Sequence, residues 1–150
     1  MNTRKKRLKR AFWWSFFAVW LVLTVFLSSQ SGYGSSSLSR IISVKLWHGF
    51  IKVFGNFSLA TFHFYFRKFA HAFVHFVLAF VTVRASLWSF PERASALRFA
   101  LIFSTCIALF DEAIQLVSPG RSSAFFDAGL NLSGVIVGTF LSACIRTNND

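Results

Sequence analysis

Four long apolar runs divide the chain and predict four membrane-spanning helices. They cover residues 11–27, 67–83, 97–117 and 124–145, and most are close to the length that crosses a bilayer as a helix. Short polar connections separate the last three runs, whereas a longer segment separates the first two. This pattern predicts an all-α fold, an integral membrane four-helix bundle, because a lipid-exposed backbone must satisfy its own hydrogen bonds.

The long first connection contains two different patterns. Residues 28–39 are mostly Ser and Gly, which predicts a loop. In residues 40–57 apolar side chains repeat at helical spacing on one side, while Lys45, His48 and Lys52 share the other side. This second segment predicts an amphipathic helix in the first outer loop, lying in the membrane interface.

Composition and charge agree with a membrane protein. Hydrophobic residues make up 55% of the chain and charged residues 14%, against roughly 25% charged in soluble domains. The net charge is +11, but the basic residues flank apolar runs and form no separate basic domain, so we expect no nucleic-acid partner. Six of the sixteen Lys and Arg residues lie in residues 1–10, a tail that we expect to be disordered and attracted to anionic lipid headgroups.

The distribution of basic residues also predicts the topology. Placing the 1–10 tail and the 146–150 tail in the cytoplasm puts ten Lys and Arg residues inside and six outside, as the positive-inside rule requires. The first connection and the turn after the third span then face outward. A cleaved signal peptide remains an alternative for the first run, although its length and its tryptophans favour an uncleaved span.

Polar side chains within the spans fall almost entirely in the outer half of the bilayer under this topology. They also recur at helical spacing, so that each set shares one face of its helix. These faces carry Arg67, His71 and His75; Asp111, Glu112 and Gln115; and Asp127, Asn131, Gly134, Gly138 and Ser142. Ionisable residues inside a membrane require partners and are usually functional.

The pattern predicts that these faces turn toward one another and form one outward-facing polar pocket. In this pocket Arg67, Lys68 and Arg121 would neutralise the acids. A purely structural interpretation competes with it, in which Asp111 and Glu112 pair with cations and fix the helix register. The Gly134-x-x-x-Gly138 spacing predicts a close helix contact rather than a ligand site. The convergence of so many polar groups at one depth favours a functional pocket.

Several of these residues together resemble the VanZ-like family of small bacterial membrane proteins. The matching segments are Ser29-Gln30-Ser31, Arg67-Lys68-x-x-His71, Asp111-Glu112-x-x-Gln115, Pro119-Gly120-Arg121 and Asp127-x-x-x-Asn131-x-x-Gly134-x-x-x-Gly138. The resemblance implies a four-span protein of the bacterial cytoplasmic membrane. It also implies a link to teicoplanin resistance, the property for which the name-giving member is known. The first-loop helix is not among the features that carry the resemblance.

Three classes of function are compatible with the sequence. The first is a binding or modulating protein of the cell envelope, whose pocket engages a lipid-linked or anionic envelope molecule and contacts membrane lipids. Arg67, Lys68 and Arg121 would contact the anionic groups. The remaining ligand contacts would come from Gln30, Gln115, Asp127 and Asn131, together with the two acids.

The second class is an intramembrane hydrolase or transferase, with His71 as general acid or base and Glu112 or Asp111 orienting it. His71 and His75 have the spacing of a helical metal site but lack the Glu of the zinc-helix motif, so no metal or cofactor is expected. The third class is a small transporter subunit. It is disfavoured because the polar faces become Gly, Ser and Ala in the inner half. The sequence does not indicate an oligomeric state.

Overall fold

The computed structural model describes residues 3–30, 32–55, 58–118 and 125–145, and these residues form five helices with no strand. The helices are α1 (Thr3–Ser29), α2 (Gly32–Phe54), α3 (Leu59–Leu87), α4 (Arg93–Val117) and α5 (Phe125–Cys144). By length and composition α1, α3, α4 and α5 are able to cross a membrane. The predicted all-α fold with four spanning helices is confirmed.

Helix α3 lies at the centre of the bundle and contacts each of the other four helices. Its most extensive contact is with α5, where glycines bring the two backbones together. A Cβ atom on Gly134 would overlap the carbonyl oxygen of Ala72, and one on Gly138 would overlap that of Phe76. The predicted close contact through Gly134-x-x-x-Gly138 is therefore confirmed, with α3 as the partner helix.

Small side chains fill much of the interior, and many large apolar side chains face outward. On α4 the buried positions Ala96, Ala100, Ser104 and Ala108 recur every four residues. Large residues such as Ile102 (64% exposed) occupy the outer surface. This arrangement suits a helix bundle in lipid, where close backbone packing rather than burial of large apolar groups holds helices together.

Two local expectations are wrong. The basic tail was expected to be disordered, but α1 begins at Thr3 and its first turns carry the cations. Residues 28–39 were expected to form a loop, but α2 begins at Gly32. Helices propagate readily once nucleated, and tertiary packing overrides weak propensity. The second case illustrates this, because Ser39 Oγ lies 3.0 Å from His63 Nε2 of α3.

Helix α2 has three distinct sides. One side packs on α3 through fully buried Ser43 and through Phe50, whose ring centroid lies 5.1 Å from that of Phe62. A second side exposes large apolar groups and a third exposes basic ones. The exposed residues are Ile42, Leu46 and Val53 on the apolar side and Lys45, His48 and Lys52 on the basic side. The predicted amphipathic helix is present, although Phe50 from its apolar face contacts the bundle.

Side chains of one tryptophan and two arginines attach the helices to one another. Trp20 Nε1 donates to the Val74 carbonyl oxygen at 3.0 Å, which holds α1 against α3. Arg84 Nη1 donates to the Ile145 carbonyl oxygen at 3.1 Å, and Arg93 donates to the Ala143 carbonyl oxygen. These arginines satisfy carbonyl groups at the end of α5 that have no partner within the helix.

Candidate functional site

Asp111 is the centre of a buried polar network that joins all four spanning helices. Its side chain is 4% exposed, and its Oδ1 accepts a hydrogen bond from Ser28 Oγ. Its Oδ2 lies 2.9 Å from Gln115 Nε2, 3.2 Å from His75 Nε2 and 3.3 Å from Asn131 Nδ2. A carboxylate is tolerated in an apolar bundle when such donors surround it.

The sequence positions these donors by simple helical spacing. Asp111 and Gln115 lie one turn apart on α4, so their side chains meet on the same face. Asn131 reaches α4 from α5, one turn before Gly134, where α5 runs close against α3. Every residue of the predicted α5 stripe, from Asp127 to Ser142, is buried as expected.

A second part of the network lies beside Asp111. Glu112 is 8% exposed, and its Oε1 accepts from Asn131 Nδ2 at 2.8 Å. Asp127 forms an ion pair with Lys68, whose Nζ also lies 5.5 Å from the centroid of the Phe64 ring. Three of the predicted ligand contacts, Lys68, Asp127 and Asn131, are thus engaged by other side chains of the protein.

The open part of the site is a cavity of about 200 Å³ enclosed by α1, α2 and α3, with Asp111 of α4 in its wall. Apolar side chains form most of its surface. The lining residues are Thr24, Leu27, Ser28, Gln30, Ser39, Ile42, Phe66, Arg67, Ala70, His71, Val74, His75 and Asp111. The predicted Arg67, His71 and His75 stripe of α3 therefore borders one cavity.

The single polar pocket expected from the sequence is divided in the structure. Four of the candidates, Gln30, Arg67, His71 and Asp111, line the cavity. The others that the structure describes do not line it. Glu112, Gln115 and Asn131 belong to the buried network around Asp111, and Lys68 and Asp127 form a separate ion pair. Arg121 lies outside the described residues. Asp111 belongs to both parts.

His75 contacts Asp111, its Nε2 atom lying 3.2 Å from Asp111 Oδ2. His71 lines the cavity one turn closer to the start of α3. His75 is 1% exposed, and its Nδ1 is buried with no hydrogen-bond partner among the described residues. Because the carboxylate favours a proton on Nε2, the Nδ1 atom is left as an acceptor in the neutral ring.

Sequence reasoning identified Gln30 at the end of the first span but missed the other contributions of α1 and α2 to the cavity. Thr24 and Ser28 are buried and lie one turn apart on α1, while Ser39 and Ile42 come from α2. The Thr24–Ser28 spacing in the apolar part of α1 is the sequence signal for the contribution of this helix. Nothing in the pattern of α2 indicated that it closes one side of the cavity.

Comparison with known proteins places the chain in a family. No similar protein is found among curated proteins or among solved structures. The family model described as VanZ/LLP1 matches residues 13–146 of the 150-residue chain, a range that includes the whole network and cavity. The chain therefore belongs to the VanZ/LLP1 family.

Proposed function

We propose that this protein acts in the bacterial cell envelope and binds a lipid-linked or anionic envelope molecule in the cavity between α1, α2 and α3. The proposal includes the predicted topology, with the cavity on the outer side of the cytoplasmic membrane. The observation that carries it is the lining of this one cavity, which combines an apolar surface with Arg67, His71 and the His75–Asp111 pair.

The lining indicates the chemistry of an amphiphile. Leu27, Ile42 and Val74 suit a hydrocarbon chain, while Arg67 suits a phosphate or carboxylate because its guanidinium can donate two parallel hydrogen bonds. The cavity volume of about 200 Å³ is below the roughly 300–1,000 Å³ of pockets for drug-sized ligands. The cavity would thus hold one end of the molecule while the rest lies in the bilayer.

Helix α2 supports the same function. Ile42 lines the cavity, and the exposed Lys45 and Lys52 follow on the neighbouring side of the helix. Basic groups near a membrane surface attract anionic lipids by roughly 1 kcal/mol each. Helix α2 would therefore raise the local concentration of anionic ligands beside the opening.

A binding experiment with a polyprenyl phosphate and the matching uncharged polyprenol tests the proposal. Purified protein in phosphatidylcholine nanodiscs should bind the phosphate more tightly than the alcohol. Arg67→Gln should weaken phosphate binding about tenfold, because a charge-assisted contact contributes roughly 1.5–3 kcal/mol. Arg98→Gln is the matched control, because Arg98 is exposed and does not line the cavity, and it should have little effect. Equal binding of phosphate and alcohol, or an Arg67→Gln variant that binds like the control, would refute the proposal.

The His75–Asp111 geometry supports an intramembrane hydrolase or transferase as a second candidate. In this version His75 takes the role that the sequence suggested for His71, with Asp111 orienting the ring and Nδ1 available as a base. Ser28 Oγ contacts the Asp111 carboxylate, and in this version the nucleophile is water or an acceptor substrate. Release of phosphate from a polyprenyl diphosphate by the wild type, but not by His75→Gln, would favour catalysis. Recovery of the intact diphosphate would show that the protein binds this ligand without hydrolysing it.

The cellular part of the proposal concerns glycopeptide resistance. A protein that binds envelope molecules at the outer surface would change the molecules that teicoplanin meets there. Expression in a susceptible bacterium should raise the teicoplanin concentration that inhibits growth, and expression of Arg67→Gln should not. If the inhibitory concentration stays unchanged while the protein reaches normal levels in the membrane, this protein does not confer teicoplanin resistance.

A further inference from the structure

A second group of cations lies at the end of the bundle opposite Asp111. The first turns of α1 pass the connection between α3 and α4, where Lys9 Nζ lies 5.2 Å from the centroid of the Trp88 ring. Trp14 Nε1 donates to Ser89 Oγ at 2.8 Å and holds α1 against this connection. The basic turns are therefore fixed in place next to an aromatic side chain.

A pocket of about 300 Å³ opens between these elements, lined by Thr3, Lys6, Arg7, Arg10 and Trp88. The four α1 residues share one face of the helix, because they recur at intervals of three and four. Trp88 is 5% exposed, and its indole Nε1 is buried with no hydrogen-bond partner among the residues that the structure describes. An N–H group left in this state is unfavourable by roughly 1–3 kcal/mol.

The charges of the pocket are unbalanced. The first turn of α1 contains no acid, although the positive end of a helix dipole favours one there. Lys6 and Arg10 lie one turn apart and repel each other. Glu92, the nearby acid of the α3–α4 connection, is 3.1 Å from Ser95 Oγ and does not line the pocket. The charged groups lining the pocket are therefore all cationic, and the buried indole is a donor.

We propose that the pocket formed by Lys6, Arg7, Arg10 and Trp88 binds a phosphate group, with the indole N–H donating to one phosphate oxygen. The phosphate would come from the headgroup of an anionic phospholipid or from free inorganic phosphate. Either source offers the charge and the acceptor oxygens that the pocket lacks. The pocket shares no residue with the Arg67 cavity, so this inference is independent of the function proposed for that cavity.

The indole resonance of Trp88 provides a direct test. Full-length protein with ¹⁵N-labelled tryptophan is placed in phosphatidylcholine nanodiscs, and Trp88→Phe identifies the Trp88 signal among the five indoles. Phosphatidylglycerol in the nanodisc should shift this signal downfield more than the other four. A shift produced by inorganic phosphate alone identifies free phosphate as the source, and a shift only with phosphatidylglycerol identifies the lipid. No shift with either probe overturns the proposal.

Charge-matched variants separate a site from general attraction. Arg7→Gln/Arg10→Gln should lower the fraction of protein that retains phosphatidylglycerol in native mass spectrometry, with an affinity loss of about tenfold. Arg40→Gln/Arg98→Gln removes the same charge from exposed arginines that do not line the pocket, and it should leave retention unchanged. Equal losses in the two double variants would indicate diffuse attraction and overturn the site.

Trp88→Phe keeps every cation and the aromatic ring that faces Lys9, and it removes only the indole donor. It should weaken retention about tenfold or more, the effect of losing one hydrogen bond to a charged group. Wild-type retention by this variant would contradict the proposed role of the indole, whether or not the arginine variants fold.

Discussion

Asn131 and Glu112 face each other across the α4–α5 contact, with Asn131 Nδ2 2.8 Å from Glu112 Oε1. The same amide nitrogen lies 3.3 Å from Asp111 Oδ2. One side chain of α5 thus serves two adjacent acids of α4, which would repel each other without a shared donor. The amide also fixes the register of α5 against α4.

Exchanging donor and acceptor tests this relationship. Asn131→Asp should destabilise the protein by roughly 3–5 kcal/mol, because it removes the donor and leaves an additional buried acid unpaired. Unfolding by increasing fractions of sodium dodecyl sulfate measures the change. Asn131→Asp/Glu112→Gln restores one donor facing one acceptor and should recover part of the loss. A double variant as unstable as the sum of the two single variants would argue against a direct bond.

The glycines of α5 permit a second prediction. Gly134→Ala and Gly138→Ala should each destabilise the bundle by about 1–3 kcal/mol, because the added methyl groups force α5 away from the α3 backbone. Thermal unfolding in detergent measures the effect. Gly129→Ala is the matched control on the same helix, since a Cβ there meets nothing within 4 Å. Because Ala favours a helix more than Gly does, the control should be as stable as the wild type or slightly more stable. An equal loss of stability in the control would show that contact with α3 is not the cause.

Lys68 and Asp127 should contribute to stability as a coupled pair. Their side chains are 22% and 12% exposed, so solvent screens the attraction less than at an open surface. A double-mutant cycle with Lys68→Gln and Asp127→Asn should give a coupling free energy of roughly 0.5–3 kcal/mol. Additive losses within experimental error would mean that Lys68 acts through the Phe64 and Phe126 rings instead.

The predicted topology is open to cysteine labelling. Gly49 on α2 and Glu92 between α3 and α4 are exposed positions at opposite ends of the bundle. In a background without Cys106 and Cys144, Gly49→Cys should react with a membrane-impermeant maleimide in intact cells. Glu92→Cys should react only after the cells are permeabilised, because basic residues keep that connection in the cytoplasm. The reverse pattern would invert the topology and place the cavity inside.

Hydrophobic spacing predicted the features of this fold that depend on one helix at a time. The apolar runs identified all four spanning helices, and the i, i+4 stripe predicted the buried face of α5. Periodicity is a property of a single helix, so it is readable without knowledge of the neighbours.

Features that depend on the offset between helices were not predictable in this way. Spacing placed His71 and His75 on the same face, but the contact of His75 with Asp111 depends on the axial position of α3 relative to α4. The start of α2 also depends on a neighbouring helix. Its Ser-rich first turns have weak helix propensity and are stabilised by contacts such as that of Ser39 with His63.

The dependence of Asp111 and Glu112 on Asn131 has a consequence for biosynthesis. Helix α4 is synthesised before α5, so Glu112 has no amide donor until residue 131 has been added to the chain. Ser28 and His75, by contrast, are already available to Asp111 from the helices synthesised earlier. An α4 helix released alone into lipid would carry an acid without its partner. Helices α4 and α5 are therefore expected to leave the insertion machinery together, as a hairpin that docks on α1 and α3 in one step.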